Sequence, residues 1–166
     1  MHKVVHALAL AGAAFSLGGC ANSVLTVEQP YVGNQQYAYA EIQAADSSVE
    51  IDDDNRDYTA RKLNEAIFGG AKPIFVEGSG LTLRWRYVGF NEGSRFGRYM
   101  TAGIAGASKV VLEVEFVDQS GEVVSTVRGE GSVSGGIGGG SNKSGIDKAV
   151  QKIAEYAESK FSASTN

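Results

Sequence analysis

Two alternating apolar segments joined by a short turn constrain the fold of this chain most strongly. In residues 109–118 every second residue is apolar and acidic residues stand between them, which is typical of a strand with one buried face. Residues 118–121, Asp-Gln-Ser-Gly, favour a hairpin turn, and residues 122–134 alternate again. The apolar face comprises Val110, Leu112, Val114, Phe116, Val123, Val127 and Val133. The sequence therefore predicts an antiparallel hairpin whose apolar face needs a covering layer.

Two amphipathic segments are suited to form that layer. Residues 56–68 carry apolar residues at helical spacing, follow a capping residue (Asp54 or Asn55) and stop at Gly69-Gly70. Residues 144–161 carry a second apolar stripe behind a start that resembles a capping box. The two stripes are Ala60, Leu63, Ala66 and Ile67, and then Ile146, Ala149, Val150, Ile153, Ala157 and Phe161.

Residues 37–44 and 81–90 supply further predicted strands. In the second, Leu81, Leu83, Trp85 and Tyr87 share one face, while Thr82, Arg84, Arg86 and Val88 share the other. The order is strand, helix, strands, hairpin, helix. It predicts an α+β two-layer sandwich, with two amphipathic helices on one face of a mainly antiparallel sheet of about 4–5 strands. We expect one domain over residues 37–161 and a frayed tail over 162–166.

The first 19 residues are typical of a signal peptide. The apolar run Val4–Gly18 is shorter than the roughly 20 residues that span a bilayer. It leads into Leu17-Gly18-Gly19-Cys20, which resembles the bacterial lipoprotein box, where small residues admit a peptidase and the cysteine thiol is acylated. We therefore expect a palmitate-type lipid anchor on Cys20. An ordinary secretory signal with an unmodified thiol is the alternative.

The residues after Cys20 indicate where the mature protein resides. Asp after the lipidated cysteine usually retains a lipoprotein in the inner membrane, and here Ala21 and Asn22 follow instead. This favours the outer membrane, with the domain on its periplasmic face, although a Gram-positive host stays open. Residues 20–36 are predicted to form the lipidated cysteine and a tether or irregular lead-in. Val24, Leu25 and Val27 could form a short strand there, which Pro30 and Gly33 would break. The mature chain has 147 residues and a formal charge of −5.

Composition excludes several kinds of site. Both histidines and the only cysteine lie within the first 20 residues, so the mature chain has no histidine and no free thiol for a catalytic triad or a zinc site. The acidic residues 50–57 fail the calcium-loop template, and residues 138–144 fail the phosphate-loop template. We therefore expect no metal, cofactor or nucleotide, and the negative charge argues against nucleic acid.

The best candidate for a partner site is a cluster of arginine and aromatic residues. Residues 84–99 carry four arginines and one glutamate in an otherwise acidic chain, and arginine with tyrosine or tryptophan is typical of interface hot spots. The cluster comprises Arg84, Trp85, Arg86, Tyr87, Arg95, Phe96, Arg98 and Tyr99. Alternatively, Trp85 and Tyr87 are core residues and the arginines face solvent.

Paired carboxylates are the remaining route to catalysis. Glu113 and Glu115 lie two residues apart on one strand, and Glu41 is a further acid that a hydrolase acting on peptidoglycan would need nearby. Surface acids on a solvated sheet face explain all three more simply, so we expect no enzyme activity.

The chain resembles the bacterial lipoprotein family catalogued as domain-of-unknown-function 4410. The resemblance covers about residues 58–161 and rests on Gly93-Ser94-Arg95, the strand 110–116, the turn 118–121, the glycines of 129–140 and Ile153-Ala154-Glu155-Tyr156. That family has no established activity or active site, so the resemblance implies no catalytic residue. The leading hypothesis is a non-enzymatic adaptor or assembly factor for an envelope protein. A lipid- or glycan-binding accessory lipoprotein is the alternative.

Overall fold

The computed structural model describes residues 23–91, 108–133 and 142–163, which form one six-stranded sheet and two helices. The strands are β1 (Ser23–Gln29), β2 (Tyr39–Ala44), β3 (Val76–Glu77), β4 (Leu81–Asn91), β5 (Ser108–Val117) and β6 (Val123–Val133). The helices are α1 (Asp53–Phe68) and α2 (Asn142–Phe161). Across the sheet the strand order is β1-β6-β5-β4-β2-β3.

The α+β class is confirmed, while the predicted sheet of 4–5 mainly antiparallel strands needs correction. The sheet has six strands and is mixed, because β2 pairs in parallel with both β3 and β4. Helix α1 lies between β2 and β4 in the chain and returns it to the end of the sheet where β2 began. A parallel pair requires such a crossover, whereas β4, β5, β6 and β1 pair antiparallel.

The prediction of a tether over residues 20–36 is wrong for the part that the structure describes. Strand β1 pairs with β6 from Ser23 opposite Gly131 onward. The segment with Pro30 and Gly33, which follows the strand, stays in contact with α2, because the Tyr31 N–H donates to the Tyr156 hydroxyl at 3.3 Å. The Tyr31 ring also lies 4.5 Å from the Phe161 ring. Ser23 therefore already belongs to the folded domain.

The predicted tail also begins too early. Ser162 forms a parallel bridge with Tyr37, and its hydroxyl donates to the Ile74 carbonyl at 3.3 Å.

Helix α1 starts three residues earlier than predicted, because the Asp52 carboxylate caps it by accepting the Asn55 N–H at 2.9 Å. Hydrogen bonds from the backbone N–H and the side-chain amide of Asn55 hold the pKa of Asp52 below its usual value.

Both helices cover one face of the sheet, as predicted. Thr59 of α1 hydrogen-bonds the hydroxyl of Tyr87 on β4, and burial raises the pKa of Tyr87 to about 12. Phe116 on β5 stacks on Phe161 of α2 with ring centroids 4.6 Å apart. The predicted inward positions that are fully buried include Leu81, Leu83, Val110, Leu112, Val114, Phe116 and Val127.

Candidate functional site

The predicted arginine and aromatic cluster is divided between two faces of the sheet. Trp85 and Tyr87 are 3% and 0% exposed beneath the helices, so the folded domain does not offer them to a partner. Arg84 and Arg86 lie on the face without helices, which we call the open face, because neighbouring strand residues point to opposite sides. This corrects the prediction for Trp85 and Tyr87. Arg95, Phe96, Arg98 and Tyr99 lie outside the described residues, as do Leu17, Gly18, Gly19 and Cys20.

The open face carries a network of ion pairs rather than free arginines. Arg84 pairs with Glu115 at 2.6 Å, Lys109 pairs with Glu130 at 2.9 Å, and Arg86 pairs closely with Glu113. Arg128 bridges Glu113 and Glu28 at 2.9 Å and 3.0 Å. Each of these three arginines is therefore already held by a carboxylate of this chain.

Glu113 departs from the expectation of a solvated surface acid. Its side chain is only 4% exposed, although it lies on the open face, because Arg86 and Arg128 close over it. Burial alone would raise its pKa, but hydrogen bonds and the charges of the two arginines outweigh burial and hold the pKa below the usual 4.5. The same pairing raises the pKa of Arg86.

This arrangement gives no support to the hydrolase hypothesis. A general acid needs a raised pKa, and that of Glu113 is lowered. Glu115 is engaged by Arg84, and Glu41 accepts hydrogen bonds from Thr82 at 2.9 Å and Gln43 at 2.8 Å.

The helix layer has a groove of about 510 Å³ between α1 and α2. Its apolar lining includes Ala66, Val150 and Ala154, and its rim includes the ion pair Lys62–Glu65 at 2.7 Å. The groove is open to solvent, so it does not enclose an apolar ligand as a lipid-carrying pocket would.

The two edges of the sheet carry exposed apolar side chains, which the sequence reasoning missed. On β1, Val24 and Val27 are 51% and 41% exposed. At the other edge, Tyr39 of β2 and Val76 of β3 are 51% and 54% exposed and stand opposite each other. Only Val32 joins these four among the large, exposed apolar side chains of the described residues. The alternation around Val24 and Tyr39 indicates strands, but sequence alone does not tell which strands lie at an edge.

Within the described ranges, no group of three histidine, cysteine or acidic side chains is placed to hold a metal ion. Neither helix described above is long and apolar enough to cross a membrane.

Comparison with known proteins shows the fold alone. No protein-family model matches the chain, and no curated protein matches it. A solved variant of PelC, a dodecamer from Paraburkholderia phytofirmans, matches with a TM-score of 0.51 and 16% identity over 82% of this chain and 97% of that chain. A second PelC dodecamer structure from that organism matches with a TM-score of 0.46 and 15% identity, over 85% and 99% of the two chains. The chain is therefore similar in fold to PelC, and the resemblance to domain-of-unknown-function 4410 stays a prediction.

Proposed function

We propose that the protein is a non-enzymatic lipoprotein, anchored in the outer membrane through Cys20, whose periplasmic domain works as an adaptor or assembly factor. The observation that carries this proposal is the exposed apolar side chains along both edges of the sheet. The sequence Leu17-Gly18-Gly19-Cys20 supports the anchor. The groove between α1 and α2 is open, which ranks a lipid- or glycan-binding accessory lipoprotein second.

The edges are suited to bind another polypeptide. An edge strand exposes a row of unpaired backbone N–H and C=O groups, and soluble proteins usually protect such a row with charges, bulges or a covering element. A partner strand can add to the row and gain both main-chain hydrogen bonds and apolar contacts. Here the exposed apolar side chains are Val24 and Val27 at one edge and Tyr39 and Val76 at the other.

We propose a second copy of this chain as the first partner. The β1 edge and the β3 edge are different surfaces, so a contact between them joins copies head to tail and leads to a closed ring or a filament. PelC, whose fold is similar, is a dodecamer, which supports testing a copy of the same chain before any other partner.

Site-specific photo-crosslinking in living cells tests the proposal. A photoreactive residue at position 24 or 76 is expected to give a product of twice the protomer mass that joins the two edges. With the photoreactive residue at position 76, the variant Val24→Lys places a charge on the β1 edge, and we expect it to lower this product about tenfold, equivalent to about 1.4 kcal/mol of binding. Val32→Lys is the matched control, because Val32 is 93% exposed and lies outside every strand.

The outcomes separate the parts of the proposal. A single heterologous envelope protein crosslinked from either edge would support an adaptor and replace the second copy as its partner. A lipidated protein that stays monomeric and crosslinks to nothing from both edges would overturn the adaptor function.

A further inference from the structure

The chain enters the sheet at the end where three other strands stop or start. Ser23, the first residue of β1, stands opposite Gly131 near the end of β6, and Gly131 stands opposite Val110 near the start of β5. Val110 in turn stands opposite Phe90 near the end of β4. We call this the anchor end. The β5–β6 turn, where Val117 stands opposite Val123, lies at the other end, which we call the far end.

Helix α2 also runs from the anchor end to the far end. Helix α2 starts beside the anchor end, because Gly145 lies against Gly131 of β6. Its last residue, Phe161, stacks on Phe116 near the far end. The anchor end and the far end are therefore defined for the helix layer as well as for the sheet.

The chain between Cys20 and the sheet is very short. Only Ala21 and Asn22 lie between Cys20 and Ser23, and three residue steps span at most about 11 Å. Strand β5 has 10 residues and is therefore about 33 Å long. A lipid on Cys20 keeps the anchor end close to the bilayer, while the far end has room to stand well away from it.

We propose that the anchor end faces the headgroups of the phospholipid bilayer and that the strands stand away from the membrane. The inference rests on the proposed function, because it needs the lipid on Cys20 and a β1 edge that is free to bind. A domain lying flat on β1 would cover that edge with headgroups. In the upright position both edges point sideways, parallel to the membrane, and the far end points into the periplasm.

The short link keeps the anchor end at the bilayer, and the free β1 edge of the proposed function requires the strands to stand away from it. The acidic residues Asp52, Asp53 and Asp54 at the start of α1 lie toward the anchor end, since Asp54 pairs with Lys143 in the first turn of α2. These carboxylates oppose attraction of the start of α1 to anionic lipids. Lengthening the link should release the domain.

Fluorescence quenching on vesicles tests the orientation. Lipidated protein with one added cysteine is labelled with a maleimide dye, because the acylated Cys20 thiol does not react. The labelled variants are reconstituted into phosphatidylcholine vesicles that contain a lipid with a nitroxide on its headgroup. Lys109→Cys and Lys143→Cys report on the anchor end of the sheet and of the helix layer. Gln119→Cys and Lys160→Cys report on the far end of the same two layers.

We expect the two labels at the anchor end to be quenched at least about threefold more than the two at the far end, because nitroxide quenching needs close approach. Insertion of a 12-residue Gly-Ser linker between Asn22 and Ser23 is expected to remove this difference, since such a linker extends by roughly 20 Å on average. The variant Cys20→Ala, added to the same vesicles, should show no quenching at any position.

The test separates the orientation from the lipid anchor. Equal quenching at both ends, with the protein still floating with the vesicles, would overturn the orientation and leave the anchor intact. A native-sequence protein that leaves the membrane fraction of its host without detergent would instead overturn the lipid anchor itself.

Discussion

At the scale of single residues, Glu113 shows how a charged side chain becomes part of the fold on the open face of the sheet. Each of its two carboxylate oxygens accepts a hydrogen bond from a different arginine, Arg86 on β4 and Arg128 on β6. The glutamate lies on β5 between them and joins three neighbouring strands. Removing its charge leaves two arginines facing each other without the carboxylate that holds them.

We expect Glu113→Gln to lower the free energy of unfolding by about 1–2 kcal/mol at neutral pH. A fully buried pair would lose about 3–5 kcal/mol, but Arg86 and Arg128 are 40% and 43% exposed and solvent screens their charges. Glu115→Gln is the matched control, because Glu115 has one arginine partner and is 25% exposed, so we expect a smaller loss. Urea unfolding measures both, and equal losses would contradict the special role of Glu113.

The pH dependence of this difference has a definite sign. The pKa of Glu113 is below 4.5 in the folded state, so folding favours its ionised form, and the stabilisation is complete above about pH 4.5. It is lost as the pH falls through the folded-state pKa. The gap in unfolding free energy between the native sequence and Glu113→Gln should therefore shrink between pH 4.5 and acid denaturation. A gap that stays constant over that range would contradict the ionised pairing.

The sequence predicts which face of the sheet these side chains lie on, but not which residues surround them. Alternation placed Trp85 and Tyr87 on the face opposite Arg84 and Arg86, and that division is observed. The burial of Glu113 was not predictable, because it depends on Arg128, which is 15 residues away and comes beside Glu113 only through the register of β5 and β6.

At the scale of elements, helix α2 lies directly on the backbone of β6. A Cβ atom added at Gly131 would stand 1.9 Å from the carbonyl oxygen of Gly145, and one added at Gly129 would stand 2.5 Å from that of Ala149. Both glycines face α2, because residues two positions apart on a strand lie on the same face of the sheet. The helix and strand can approach this closely only because both positions lack a side chain.

We expect Gly131→Ala to lower the free energy of unfolding by about 3 kcal/mol, at the upper end of what overpacking costs, because a backbone carbonyl cannot move aside as a side chain does. Thr126→Ala is the control in the same strand on the open face, where we expect a loss below about 1 kcal/mol. Thermal or urea unfolding measures both. A loss for Gly131→Ala no larger than that of Thr126→Ala would show that α2 does not pack on β6 at this distance.

The sequence predicts the type of each element, helix or strand, more fully than it predicts which strands pair in the sheet. The two helices and the strands β2, β4, β5 and β6 follow from periodicity, since helical and strand spacing each leave one apolar face. A short strand at Val24–Val27 was only an alternative to a tether, because Pro30 and Gly33 suggested a loose segment, whereas Tyr31 contacts α2 and holds that segment on the domain. The parallel pair β2–β4 depends on where α1 returns the chain, which no local pattern records.

At the scale of the whole molecule, the proposed lipid anchor and the proposed contact between sheet edges would act together in assembly. Copies anchored through Cys20 with their anchor ends at the membrane would move in one plane, and their edges would lie at a common height. Such confinement would raise the effective concentration of one copy around another, so that a weak contact between edges would be enough for assembly. The far end would stay free for other molecules.

This argument predicts that assembly depends on the membrane. We expect the variant Cys20→Ala without its signal peptide to be a monomer at micromolar concentration by sedimentation-velocity ultracentrifugation, whereas lipidated protein at the same total concentration on vesicles gives edge-to-edge crosslinks. Confinement is expected to contribute about 100-fold in apparent affinity, within the range that linking two binding sites achieves. Lipidated Val24→Lys is the control, because it keeps the anchor and alters the β1 edge. Equal assembly of Cys20→Ala in solution would contradict the need for the membrane, since the edges alone would then hold the copies together.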